Sequence, residues 1–219
     1  MPILTISATK GGQGVTTIAG ALATLTAHTG ARTLLIDTGG DLAAILGRPE
    51  HHGPGLADYF ANPNITLADI TIPISDRLDL IARGTEPIAF NTYTYGLITG
   101  GLGHYDVVII DCALTNTEWP ALADQRVHVT RNCYLAVRNA IRLTKPTHVV
   151  VITEPGRSLS NADIETVLGM SVTATITADV ETARIIDAGI LTTRLPRTVA
   201  RALEPIVSAA TAGIVEIAR

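Results

Sequence analysis

The chain has 219 residues, 47% of them apolar but only 4% aromatic, so a sizeable core must be built from Ala, Val, Leu and Ile side chains. A net charge of −4 excludes a protein that coats nucleic acid through general basicity, and no run of 18 or more apolar residues is present to span a membrane. Cys112 and Cys133 lack metal-ligand spacing and read as reduced thiols, and the first apolar run begins at Ile3, which leaves no room for a secretory leader; a cytoplasmic location is expected.

In chain order, strand character falls on "ILTISA" (3–8), "TLLID" (33–37), "LDLIA" (78–82), "DVVIID" (106–111), "VHVT" (127–130), "HVVVIT" (148–153) and "VTATI" (172–176). Helical spacing covers 16–27, 88–102, 118–124, 134–143, 163–168 and 180–188. A last helical region spans 199–218, interrupted or restarted near Pro205. Ser160 and Asp163 form a capping box ahead of the helix over 163–168. Residues 47–73 are rich in Gly, Pro, Asn and His and read as loops with short helices. Strands alternating with helices imply right-handed β-α-β units. The expected fold is α/β: a three-layer α/β/α arrangement around a mainly parallel, twisted sheet, in one domain over 1–219.

"ATKGGQGVTT" (8–17) follows the first strand and opens the first helix, where a phosphate cradle belongs. Backbone N–H groups from Gly11 through Gln13, Gly14 and Val15 to Thr16 can face an anion there, and Gly11, Gly12 and Gly14 let the main chain approach it closely. Thr16 stands at the helix start, where such loops place a Mg²⁺-coordinating hydroxyl. "HYDVVIIDC" ends a buried strand in Asp111, an acid placed to hold Mg²⁺, directly or through water. "LLIDTGGDLAAILG" adds Asp37 at another strand end, with Asp41 four residues on. Only Lys10 and Lys145 are lysines, against 14 arginines, so a lysine inside the glycine loop is a pointed choice.

"KGGQGVTT", "LLIDTGGDLAAILG" and "YDVVIID" together resemble the ParA/MinD family of deviant Walker P-loop ATPases. The likeness runs through "GLADYF", "LDLIARG", "RVHVTRNCYLAVRNAIRL" and "ATITADVETARIIDAG", and within the family it is most similar to the CpaE/TadZ branch. The resemblance implies ATP or ADP with Mg²⁺ as ligands and a homodimer when nucleotide is bound. It makes Lys10 the signature lysine that crosses the dimer, Gly11, Gly12 and Gly14 the cradle, and Thr17 an α-phosphate contact. Thr16 and Asp111 become metal ligands, and Asp37 the first acid of the switch motif; Lys10 and Asp37 are the candidate catalytic residues.

Three departures bear on activity. Val15 stands where the family has a second lysine on the β- and γ-phosphates, and Gly39 where it has a water-orienting acid. "VITEPGR" lacks the Asn that reads adenine in many relatives. Losing one charge-assisted contact costs about 1.5–3 kcal/mol, or roughly 10- to 150-fold in affinity, which leaves binding possible. Hydrolysis depends on charge stabilisation in the transition state and suffers more.

The expectation is therefore a nucleotide-gated positioning protein with weak or no ATP hydrolysis, serving a pilus, secretion or other cellular apparatus through a protein partner. Alternatives are a partition ATPase that binds DNA without sequence preference, an amidoligase-like enzyme, and a nucleotide-free scaffold. Arg184, Arg194, Arg197 and Arg201 could meet DNA, but interspersed Asp179, Glu181, Asp187 and Glu204 favour a salt-bridged surface. Arg126, Arg131, Arg138 and Arg142 read as surface or interface residues, and His51 and His52 as loop residues.

Overall fold

The computed structural model describes residues 1–48, 53–112, 118–141 and 144–215. Among them the strands are β1 (Ile3–Ser7), β2 (Thr33–Asp37), β3 (Thr71–Ser75), β4 (Leu78–Ile81), β5 (Val107–Asp111), β6 (Gln125–Arg131), β7 (His148–Thr153) and β8 (Ala174–Thr177). The helices are α1 (Val15–His28), α2 (Leu42–Ile45), α3 (Leu56–Ala61), α4 (Leu67–Ile70), α5 (Thr92–Thr99), α6 (Trp119–Leu122), α7 (Tyr134–Ala140), α8 (Asn161–Leu168), α9 (Val180–Asp187) and α10 (Arg197–Val215). The sheet has the order β3-β4-β2-β5-β1-β6-β7-β8, and every pair is parallel except β3 with β4.

The central strands are apolar at nearly every position because both faces are covered. Their side chains alternate between two cores. Leu4, Ile6, Leu35, Ile109, Val129 and Ile152 pack with α1, α2, α9 and α10. Ile3, Leu34, Ile36, Val108 and Ile110 pack with α3 to α6 around Trp119, and Val149 and Val151 extend that layer to α7 and α8. The Ala-rich α1 sits so close that a Cβ on Gly20 would lie 2.9 Å from Leu191 Cδ2. The His128 imidazole on β6, 2% exposed, enters the interior with neither ring nitrogen in a hydrogen bond of normal geometry among the described residues.

Several boundaries differ from the sequence reading. Residues 71–75 form a strand, antiparallel to β4 with a register shift between Pro73 and Ser75. Their half-exposed side chains and the proline hide an edge strand from a hydropathy pattern. The short helices expected in that region are present as α3 and α4. The helix expected over 88–102 is confined to α5, because Asn91 Oδ1 accepts the Thr94 N–H at 3.0 Å and fixes the start. Helix α10 neither breaks nor restarts at Pro205: the proline removes one intrahelical bond, while Leu203, Ile206 and Val207 hold both sides of it in the core. The capping box before α8 is formed, with Ser160 Oγ accepting from Asp163 N and Asp163 Oδ2 accepting from Ser160 N. His51, His52, Arg142 and residues 216–218 lie outside the described residues. No helix among the described residues is long and apolar enough to cross a membrane.

Candidate functional site

The sheet order puts β1 between β5 and β6, so the chain must cross over β1 to pass from one half of the sheet to the other. A crevice opens at the carboxyl ends of the strands at such a switch point. The glycine loop lines it. Gly12 has φ +72° and Gly14 φ +95°, a region that side-chain-bearing residues avoid. A Cβ on Gly14 would also lie 2.6 Å from Ile152 Cδ1. Gly14 ends the loop and caps α1 without a side chain, and no acid occupies the first helical turn. The free N–H groups of that turn therefore face the crevice with their partial positive charge unquenched.

The resulting cleft, of about 500 Å³, is lined by residues 10–17 together with Gly39, Asp41, Asp111 and Cys112. Lys10 is exposed at its mouth, while Val15 is half-buried and packs against the aliphatic core behind the loop. Gln13 turns inward: only 4% exposed, its Oε1 accepts the Arg131 N–H at 2.9 Å and ties the loop to β6. Thr17 faces both this cleft and a second cavity of about 280 Å³ beside it.

The two strand-end acids meet. Asp37 and Asp111 are register partners on β2 and β5. Asp37 Oδ1 accepts from the backbone N–H groups of Gly39 (2.9 Å) and Gly40 (2.7 Å), and Oδ2 from Leu42 (2.9 Å). Burial pushes its pKa up against the pull of those bonds. The bonds wind the loop after β2 so that Asp37 stays 1% exposed and Asp41 returns to the cleft. Asp41 makes no side-chain capping bond and is exposed. The sequence reading noted it only as a neighbour; a cleft carboxylate two residues after Gly39, behind a glycine pair, was the available signal.

Asp111 is 2% exposed, and its Oδ2 has no hydrogen-bond partner among the described residues. Burial, followed by the neighbouring Asp37 charge, pushes its pKa up to about 7, while the Thr16 hydroxyl beside it favours the charged form. A buried carboxylate oxygen left unpaired next to a hydroxyl, at the foot of a cleft lined by N–H groups, is a fitting donor set for Mg²⁺. That ion takes one or two protein oxygens and keeps water and phosphate for the rest.

The second cavity continues between α1, α9 and the ends of β7 and β8, with Gly14, Thr17, Ile152, Thr177 and Arg131 in its wall. Arg131 pairs with Glu154 of "VITEPGR", which also binds Arg157 at 2.8 Å. Asn132 Oδ1 accepts the Glu154 N–H at 2.9 Å and holds that loop. Neither strand pattern nor helical spacing relates Arg131 to Glu154; only the pairing of β6 with β7 brings them together. Arg126 donates to the carbonyls of Lys145 and Ala123, and Arg194 pairs with Glu181 at 3.1 Å, so both are committed to the surface structure.

The CbiA family, the CobQ/CobB/MinD/ParA nucleotide binding domain, matches residues 4–195. No curated protein sequence matches the chain. Among solved structures, MinD from Pyrococcus horikoshii complexed with Mg-ADP is similar with a TM-score of 0.76 and 19% identity, over 97% of this chain and 98% of that one. The MinC:MinD cell division complex from Aquifex aeolicus gives 0.77 and 20%, over 98% and 96%. A McdA variant from Cyanothece in complex with ATP gives 0.70 and 21%, over 97% and 96%. At these identities the likeness is one of fold.

Proposed function

Because the chain belongs to the CobQ/CobB/MinD/ParA nucleotide binding family, we propose that it binds ATP or ADP with Mg²⁺ in the glycine-loop cleft and acts as a nucleotide-gated dimeric positioning protein with slow or absent hydrolysis. The observation that carries the reading is the buried, unpaired Asp111 oxygen facing the loop beside Thr16. Phosphates would lie on the N–H groups of residues 11–17, and the base would enter the second cavity across Gly14 and Thr17. Thr16 and Asp111 would hold the ion, which offsets phosphate charge when bound. With Val15 packed into the core, Lys10 at the mouth is the one lysine left to meet the nucleotide. Asp37 holds the switch loop through its three backbone bonds, and Gly39 brings no carboxylate, which supports slow turnover.

Dimerisation has its own support. Helix α7, which follows β6 on the cleft side, exposes Tyr134 (66%) and Leu135 (53%), with Ile141 (63%) just beyond its end. An apolar group of that kind suits a second copy or a protein partner. The resemblance of the sequence to the CpaE/TadZ branch supports a partner in a pilus or secretion apparatus.

Calorimetry with ATP, ADP and a non-hydrolysable analogue, with and without Mg²⁺, tests the site, and sedimentation of the same mixtures tests the dimer. Mg²⁺-dependent binding with dimers only in the triphosphate state is the expected result. No heat and no thermal shift at millimolar nucleotide would leave a scaffold that has kept only the fold. ATP-dependent binding of random-sequence DNA at low salt would replace the positioning reading with partition.

A further inference from the structure

The sheet ends in two unlike edges. At one, β3 carries Pro73, which has no N–H, and a register shift between Pro73 and Ser75. Arg48 Nη2 occupies the carbonyls of Pro73 (2.7 Å) and Ile74 (2.9 Å) as well. These are the devices by which proteins blunt an edge against added strands. At the other, β8 pairs with β7 in unbroken register and has no described strand on its far side. Its sequence, "ATIT", contains no proline, charge or bulge. A groove of about 800 Å³ runs along it, walled by Thr198, Arg201, Ala202 and Pro205 of α10.

The polar groups in that groove are unevenly committed. Asp179 accepts the Thr182 N–H and hydroxyl at 2.8 and 2.7 Å, and Glu181 is paired with Arg194. Arg201 is exposed and makes no ion pair among the described residues. Pro205 also withholds the helix N–H that the Arg201 carbonyl would otherwise accept. The unspent capacity is thus a strand edge, one carbonyl and one cation.

We propose that β8 is a strand-addition site: an extended segment of a partner protein lies in the groove as a further strand and sets an acidic side chain against Arg201. Backbone pairing supplies affinity in this mode and the side-chain contact selects the ligand. A second copy fits less well, because an isologous contact sets a patch against itself and would bring two Arg201 guanidinium groups to one seam. The proposal is independent of the nucleotide cleft.

The test uses the whole chain and a fluorescein-labelled octapeptide of alternating Val and Asp, followed by fluorescence anisotropy and hydrogen exchange. Expected are saturable binding, new protection over 173–177, and at least tenfold weaker binding of the fully N-methylated peptide. Arg201→Glu should reverse the preference by tenfold or more, toward the Val/Lys counterpart. Thr175→Glu, an exposed change that adds an edge charge of the peptide's own sign, should weaken the Val/Asp peptide. The proposal is overturned by no binding at millimolar peptide, by equal binding of the N-methylated form, or by protection at β3 instead. Protection of β8 that rises with protein concentration in the absence of peptide would assign the edge to a second copy and overturn it too.

Discussion

Asp37 and Asp111 stand side by side on β2 and β5, yet the first carboxylate accepts three backbone N–H bonds while the second keeps a buried oxygen unpaired. The same residue type in adjacent positions is therefore used differently: one carboxylate is spent inside the fold, and the other is the one proposed to meet a ligand. Asp37→Asn should lower unfolding free energy by about 1–3 kcal/mol, since it replaces one accepting oxygen with an NH2 group and leaves at least one N–H of the loop after β2 without its acceptor. Asp111→Asn should leave the metal-free protein as stable or more so, while abolishing the effect of Mg²⁺ on ADP affinity. Urea unfolding and calorimetry separate the two; a matching loss of stability in both variants would contradict the division.

Asp41 adds a second carboxylate beside Asp111 to the cleft proposed to hold phosphates. Asp41→Asn should leave the unfolding midpoint unchanged. Metal-free ADP affinity should rise roughly 3- to 10-fold, equivalent to about 0.7–1.4 kcal/mol, and the further gain on adding Mg²⁺ should shrink. Titrations with EDTA and with Mg²⁺ measure both quantities.

Val15 stands where the resemblance to ParA/MinD proteins leads one to expect a lysine. Its side chain borders the cleft and rests on the core behind α1. In Val15→Lys the aliphatic stem can cover the same surface while the ammonium group reaches the phosphates. ATP affinity should tighten by roughly 10- to 150-fold, about 1.5–3 kcal/mol for a charged hydrogen bond. An unchanged dissociation constant would argue that the loop does not hold phosphate.

His128 gives a pH dependence unrelated to the cleft. Burial lowers its pKa to about 4, and the Ser7 backbone alongside offsets this only partly. Above pH 6.5 the ring is neutral in both the folded and unfolded chain and nothing is lost. Between pH 6.5 and 4 the unfolded chain takes up a proton that the folded one refuses, so stability falls with pH, by up to about 3 kcal/mol. His128→Leu should remove this component, and the stability difference between variant and wild type should widen as pH drops through that window. Parallel curves from pH 7 to pH 4 would refute it.

Strands β1, β2, β5 and β7 were legible as buried aliphatic runs covered on both faces, and β8 as an alternation of Ala174 and Ile176 with exposed threonines. β3 escaped because an exposed edge strand with a proline carries no such pattern. The glycine loop was readable for a related reason: positive φ at Gly12 and Gly14 restricts residue choice at those positions. Apart from the Ser160–Asp163 capping box, hydrogen bonds leave no comparable trace. The Arg131–Glu154 pair depends on β6 lying beside β7, and the local bonds of Asp37 go to backbone N–H groups, which residue type does not record.

Gly14 and Thr17 belong to the walls of both cavities. One cavity is closed by segments that follow β2 and β5, the other by segments around β7, β8 and α9. The strands built from residues 3–111 meet those built from 125–177 only where β1 pairs with β6. A ligand long enough to fill both cavities would add a seam between the halves to the core they share and to the Gln13–Arg131 bond. Their local opening would then become cooperative, and amides in β7 and β8 would exchange more slowly although none of them touches a phosphate.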